Sequence, residues 1–316
     1  MVPDSNPQLQ IALPALHRAC SEMSAAGQRD YLEANKYLLL SLLAGSVVAA
    51  IAPLPERLFP IDIRGNDHWV FWLTRILAVT VAVMLAGGLW LTATLRNTKK
   101  AAAWYDGRAF AESTKSMAWK YMMGAEPYGT TLSTEEADDL FCEDLKKLLA
   151  DASPHSLPGR SAAGDQISDS MVTIRKLDVA GRLATYVRAR IEDQRAWYSQ
   201  RSMDHAKSSK RWFRITLAVN CLALTLGIAA VAWFPAIGVT GVVTTAASCC
   251  VAWMQIQRYA DLAHAYSFTS HEIGLLAPRA RGIRDDHDLA RFVADCETAF
   301  SREHTMWRAR REIADG

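Results

Sequence analysis

No H-E-x-x-H, G-x-S-x-G or P-loop string occurs in this 316-residue chain, so it lacks the signatures of zinc peptidases, α/β-hydrolases and P-loop NTPases. His264 and His271, with Glu272 alongside, are seven apart, whereas two metal ligands on one face of a helix turn need a spacing of three or four. No catalytic residue, metal ligand or cofactor is assigned. Net charge is scarce too: 35 Lys and Arg stand against 33 Asp and Glu, a balance that gives no reason to expect nucleic acid or a strongly acidic substrate. The six cysteines follow no ligand or disulfide spacing. Cys221, Cys249 and Cys250 fall in apolar runs, while Cys20, Cys142 and Cys296 are expected in a reducing cytosol as thiols. The opening "MVPDSNPQLQ" has no basic residue, and no cleavable signal is expected.

What the chain does have is apolar residues gathered into four blocks, about Tyr37 to Pro55, Trp69 to Leu95, Ile215 to Phe234 and Ala236 to Met254. Each approaches or exceeds the roughly 18 to 20 residues that a helix needs to cross a hydrocarbon core of ~30 Å. Buried core helices are the alternative, kept open by the Gly, Ala and Pro of the first and fourth blocks. However, a soluble protein of this size rarely needs four such blocks nearly free of charge. The expected fold is all-α: a membrane protein with four transmembrane helices in two hairpins, about 37–95 and 215–254, extended by long cytosolic helices. Arg18, Arg29 and Lys36 precede the first block, Arg96, Lys99, Lys100 and Arg108 follow the second, Lys207, Lys210, Arg211 and Arg214 precede the third, and Arg258 follows the fourth. By the positive-inside bias both termini and the middle region are expected to be cytoplasmic, in a multi-pass protein of the inner membrane. Arg75 sits near the outer end of the second block, where it can snorkel beside Trp69 and Trp72.

The second block has no stop signal until "GAEPYGTT", with Gly107 its one weak point, so its helix is expected to run ~40 Å beyond the membrane. From Asp178 to Phe234 there is no proline and little glycine, which predicts one helix of ~80 Å. Between these stalks, "STEEADDLFCEDLKKLLADA" predicts a helix capped by Ser133 with Glu136 three residues on, its apolar face made by Leu140, Phe141, Leu145, Leu148 and Leu149. "RDDHDLARF" caps the last helix with acids at its start. The Pro/Gly/Ser-rich residues 153–166 are expected to link two analogous units, 1–152 and 167–316.

A short repeat supports that division. Trp104-Tyr105 is followed by Arg108 and Trp197-Tyr198 by Arg201, giving W-Y-x-x-R once after the first hairpin and once before the second. Trp104, Arg108, Glu112, Lys115 and Trp119 follow steps of four, four, three and four, which sets them on one helix face. Such a row can be a solvated salt-bridge ladder, but its tryptophans favour a helix contact, within the chain or between subunits, over a ligand site. In the fourth block, Thr240, Thr244 and Ser248 lie four apart beside a strip that includes Gly241; in the third, Asn220 stands one turn from Thr216. These polar positions suit either a pore lining or close helix packing, since hydroxyls can bond a carbonyl one turn back. Four helices packed through small residues leave little room inside one subunit, so a conduit is expected to need several chains.

"LPALHRACSEMSAAGQRDYLEANKYLLL" and "WYDGRAFAESTKSMAWKYMMGAEPY", on either side of the first hairpin, resemble the SLATT family, named for SMODS- and SLOG-associating two-transmembrane effectors. "ATYVRARIEDQRAWYSQRSMDHAKSSKRWF" and "FVADCETAFSREHTMWRARRE", with Glu297, Glu303 and Trp307, resemble a second version of the same domain. The resemblance implies two units in tandem acting as a pore-forming effector of a prokaryotic conflict system, in which a nucleotide signal or a partner triggers permeabilisation and cell suicide or dormancy. No nucleotidyltransferase, Rossmann-like sensor or protease segment is expected within these residues, so the trigger is expected to be a nucleotide second messenger or a separate sensor protein. A lipid bilayer and further copies of the chain are the other expected partners. A non-conducting membrane-anchored scaffold or ligand sensor remains the alternative.

Overall fold

A computed structural model describes residues 11–58, 68–97, 100–150, 164–232 and 238–315, and among them every regular element is a helix. In chain order these are α1 (Ala15–Ile51), α2 (Leu54–Leu58), α3 (His68–Asn97), α4 (Lys100–Met123), α5 (Thr134–Ala150), α6 (Asp169–Arg175) and α7 (Val179–Tyr186). A π-helical turn, Val187–Glu192, leads into α8 (Asp193–Ala232). Then come α9 (Val239–Gln257), α10 (Tyr259–Gly274), α11 (Leu276–Arg279), a 3-10 turn (Ala280–Gly282) and α12 (Asp286–Asp315). Four helical runs are long and apolar enough to cross a membrane, and barely any of their apolar stretches is buried in the protein.

Local chemistry sets the helix starts. Ser133 and Glu136 form a reciprocal capping box, with Ser133 N donating to Glu136 Oε2 at 2.8 Å and Glu136 N to Ser133 Oγ at 3.2 Å. Ser168, Asp178 and Asp285 accept from Met171 N, Gly181 N and Asp288 N in the same way at the starts of α6, α7 and α12. α1 follows Pro14 without such a cap, and its first N–H groups go instead to Asp165 O and Gln166 Oε1, both at 3.1 Å. At the end of α9, Arg258 turns left-handed (φ 48°), so the last span stops there and α10 begins at once.

The chain divides into two compact units, and each unit draws on both halves of the sequence. The first, the packed unit, comprises Met1–Arg29, Lys99–Ser199 and Ser267–Gly316. Its core is built mainly on α4 and α12. Ala111, Thr114, Ala118 and Met122 make one buried stripe of α4, and Leu289, Phe292, Val293, Cys296 and Phe300 make the facing stripe of α12. Gly107 does not weaken α4: it is the crossing point with α1, where a Cβ would lie 3.1 Å from Cys20 O and Ser24 N. Ser24 Oγ donates to Trp104 O at 2.8 Å beside it. On α5 the buried face is Ala137, Phe141 and Leu145, whereas Leu149 is exposed and Leu140 and Leu148 are half-buried. Two arginines hold the turn that ends α4. Arg175 donates to Tyr121 O and Tyr128 O at 2.8 Å and Gly129 O at 3.0 Å, and Arg182 donates to Met123 O at 2.7 Å and to Asp286. Gly124, at φ +64° against Thr130 and Arg182, has no room for a side chain.

The second, the spanning unit, comprises Asp30–Thr98 and Gln200–Tyr266. α1 and α3 approach at Gly45 and Gly88, where a Cβ would meet Met84 at 3.8 Å and Leu42 at 3.7 Å. α9 meets α1 where Cys249 Sγ reaches Leu39 O at 3.6 Å, and α8 through Trp212 and Trp253. The outward surface is apolar: Val83, Leu89 and Trp90 are 65%, 72% and 69% exposed. That much bare apolar surface suits lipid, not water. Arg75 reaches back one turn over the Phe71 ring at 4.9 Å. The tip of the second hairpin and most of residues 153–166 fall outside the described residues.

Candidate functional site

At the centre of the packed unit, Glu297 on α12 is buried among four donors. Arg190 grips both carboxylate oxygens, Nε to Oε1 at 2.9 Å and Nη2 to Oε2 at 2.7 Å. Tyr186 OH donates to Oε1 at 2.8 Å, and Ser116 Oγ donates to Oε2. The pair is 1% exposed on each side, and the guanidinium also lies 4.5 Å from the Phe300 ring centroid. A two-pronged grip of this kind is what a buried ion pair needs to offset desolvation. Arg190 and Tyr186 reach the same carboxylate across the π-helical turn, an irregularity that in helices often accompanies function.

Lys115 stands beside this knot, half-buried. Desolvation pushes its ammonium below the usual lysine range; Glu112, Asp193 and Glu297 pull it back up, while Arg190 pushes it further down. All four acceptor positions of Glu297 are taken, two by Arg190, one by Tyr186 and one by Ser116 itself. The geometry makes a lock between α4, the π-helical turn and α12.

Trp197 and Tyr198 of the second W-Y-x-x-R segment share the packed unit with the first segment. Arg108 lies over the Trp197 ring at 5.9 Å, Trp104 stacks on Tyr105 at 4.8 Å, and Trp197 meets Tyr198 edge-on at 4.9 Å. Tyr198 is buried, and Trp104, Tyr105, Arg108 and Glu112 are half-buried. Trp119 turns fully inward and meets the Tyr186 ring at 5.5 Å, next to the knot. Arg201 belongs to the spanning unit.

In the spanning unit, Asn220, Thr244 and Ser248 line one open cavity of about 310 Å³ between α8 and α9, with Ala223, Ala247 and Gln255. Each polar group also bonds within its own helix: Asn220 Nδ2 to Thr216 O and Thr244 Oγ1 to Thr240 O at 2.8 Å, and Ser248 Oγ to Thr244 O at 3.1 Å. Thr216 borders a separate cavity of about 430 Å³ and donates to Met254 Sδ at 3.3 Å. Gly241 faces open space.

Glu297 is legible in the sequence, but its partners are not. The available signal was a single carboxylate inside the Val293, Cys296 and Phe300 stripe; nothing local marked Arg190, Tyr186 or Ser116 as its partners. Asp285, His287 and Asp288 cluster at the start of α12 with the spacing of a metal site, but Asp285 is already the helix cap.

Residues 14–183 match the family described as SMODS and SLOG-associating 2TM effector domain 3, and residues 186–307 that described as SMODS and SLOG-associating 2TM effector domain 1. Ser116 and Arg108 lie in the first match, while Arg190, Glu297 and Trp197 lie in the second, so both contacts join the matched segments. No curated protein and no solved structure matches the chain.

Proposed function

The chain belongs to the SLATT family, with two effector domains in tandem, and on that premise we propose that it permeabilises or depolarises the inner membrane when triggered by a nucleotide signal or a partner protein. The observation that carries this reading is the pairing of two effector-domain matches with four helices able to span a bilayer. Several copies assemble, with the strip that includes Asn220, Thr244 and Ser248 turned to a shared path and Thr216, Thr240 and Gly241 at helix contacts. The open space beside Gly241 and the hydroxyls satisfied within their own helices support that arrangement, because such a face enters lipid or a neighbour at little cost. Both termini and the segment between the hairpins lie in the cytoplasm, as the basic residues around the spans favour. Each of the two units read from the sequence, 1–152 and 167–316, contributes one hairpin, and the Arg108–Trp197 contact ties their stalks.

Dye and ion release from liposomes holding the purified chain, with and without nucleotides, tests the reading. Release under a trigger supports the effector; tight vesicles under every trigger favour a non-conducting scaffold. Combining Trp104→Ala with Arg108→Ala is expected to abolish triggered release while the chain still inserts. Unchanged release by that variant removes the stalk from the mechanism.

A further inference from the structure

The packed unit carries an open groove of about 900 Å³ on a face distinct from the Glu297 knot. One wall is α7 with the π-helical turn and the start of α8; the other is the end of α10, α11 and the residues after it. Four arginines line it, Arg188, Arg195, Arg281 and Arg284, against one carboxylate, Glu192. Among the described residues none of the four forms an ion pair, unlike Arg182, Arg190, Arg258, Arg279 and Arg291. Between them runs an apolar wall that includes Val179, Leu183, Val187, Ala277, Pro278 and Ile283.

Arg195 is held in place. A Cβ at Gly274 would stand 3.3 Å from its Nε and 3.5 Å from its Cζ, so the guanidinium lies flat along the bare backbone of α10. Ser270 Oγ donates to Arg195 O at 3.2 Å on the same side. Unpaired guanidiniums around an apolar wall match a ligand that is anionic at one part and flat and apolar at another. The volume is that of a small-molecule site.

We propose that this groove binds a nucleotide, its phosphates against the four arginines and its base against the Val179–Ile283 wall. Arg188 and Arg190 belong to the same π-helical turn, the first lining the groove and the second gripping Glu297. A phosphate drawn to Arg188 therefore pulls on the segment that closes the knot. Binding here supplies the nucleotide trigger of the proposed effector, and for that consequence it rests on the effector reading; the binding itself does not.

The test is isothermal titration of the full chain in detergent with ATP, cyclic di-adenosine monophosphate, adenosine and inorganic pyrophosphate, a measurement that needs no ion flux. At least one of the two nucleotides is expected to bind saturably, at least tenfold tighter than adenosine or pyrophosphate. Arg188→Glu with Arg284→Glu is expected to weaken it at least tenfold, while Lys146→Glu, a single charge reversal on α5, leaves it unaltered. Arg188, Arg284 and Lys146 are all exposed at the surface, and Arg281→Ser alone, also at an exposed position and expected to weaken binding severalfold, serves should the double variant not fold. Absence of saturable binding by both nucleotides, pyrophosphate binding as tightly as either, or variants in the groove that bind like the parent would overturn the proposal. Liposome release without groove binding leaves the effector standing with another trigger; groove binding without release leaves a ligand sensor.

Discussion

The packed unit hides charge, and the spanning unit displays grease. Around Glu297 the chain places a carboxylate and a guanidinium at 1% exposure and satisfies the acid with four donors. Along α3 it leaves Val83, Leu89 and Trp90 mostly bare and closes helix contacts through Gly45 and Gly88. A buried pair is specific because each lost partner strands a charge. A lipid-facing surface is tolerant, because one apolar side chain replaces another at little cost. The packed unit is held to one arrangement by buried polar partners, whereas the surface of the spanning unit is apolar and carries no such constraint.

The sharpest way to break that contrast is Glu297→Ala. It leaves Arg190 buried without its carboxylate and is expected to cost about 3 to 5 kcal/mol, read as a lower thermal midpoint of the packed unit in detergent. A midpoint within a degree or two of the parent would mean that the knot is not what holds α12 to α4. Smaller is Gly107→Val, whose new side chain meets Cys20 O, Ser24 N and the Met23 methyl. It is expected to cost about 1 to 3 kcal/mol by forcing α1 from α4, and the same change at Gly241, which faces open space, to cost far less.

High pH should separate the units as well. Tyr121 and Tyr128 are held well above the ordinary phenol value by burial first and by Asp138 and Asp144 beside them. Above about pH 10 the unfolded chain therefore releases protons that the folded one keeps, and stability falls as pH rises, by about 1.4 kcal/mol per pH unit for each such tyrosine. Alkaline unfolding followed in the packed unit should show this slope, and Tyr128→Phe should flatten it; an unchanged slope would place the titration elsewhere. Smallest of all, Thr244→Val with Ser248→Ala is expected to move stability by less than about 0.5 kcal/mol, because both hydroxyls bond their own helix. Ion release should nevertheless change if they line the path.

Much of the spanning unit was legible in the sequence because a long apolar run has few other uses. α3 covers the run from Trp69 to Leu95, while α1 ends at Ile51, ahead of Pro53, and α9 is displaced by about three residues from the block ending at Met254. Local chemistry was readable as well, since a capping box is written in four consecutive residues and Ser133 with Glu136 forms one. Tertiary choices were not. Leu149 looked like core by spacing but is exposed, because α5 turns Ala137, Phe141 and Leu145 inward. Gly107 looked like a weak point because a glycine's close neighbour, here Cys20 and Ser24 of α1, is distant in sequence. The unbroken helix predicted from Asp178 to Phe234 is continuous over its described residues, up to Ala232, but widens at Val187–Glu192, which no propensity marks. Of the stalk residues, spacing set Trp104, Arg108 and Trp119 on one face, but only the fold shows Arg108 over Trp197 and Trp119 against Tyr186.

The most direct test is potassium release from liposomes carrying the purified full chain, challenged with ATP, cyclic di-adenosine monophosphate and cyclic di-guanosine monophosphate, and with cell extract as a source of protein partner. The effector reading predicts release under at least one of these and its loss when Trp104 and Arg108 are both alanine. Vesicles that stay tight under every challenge, with the chain inserted and folded, would contradict it.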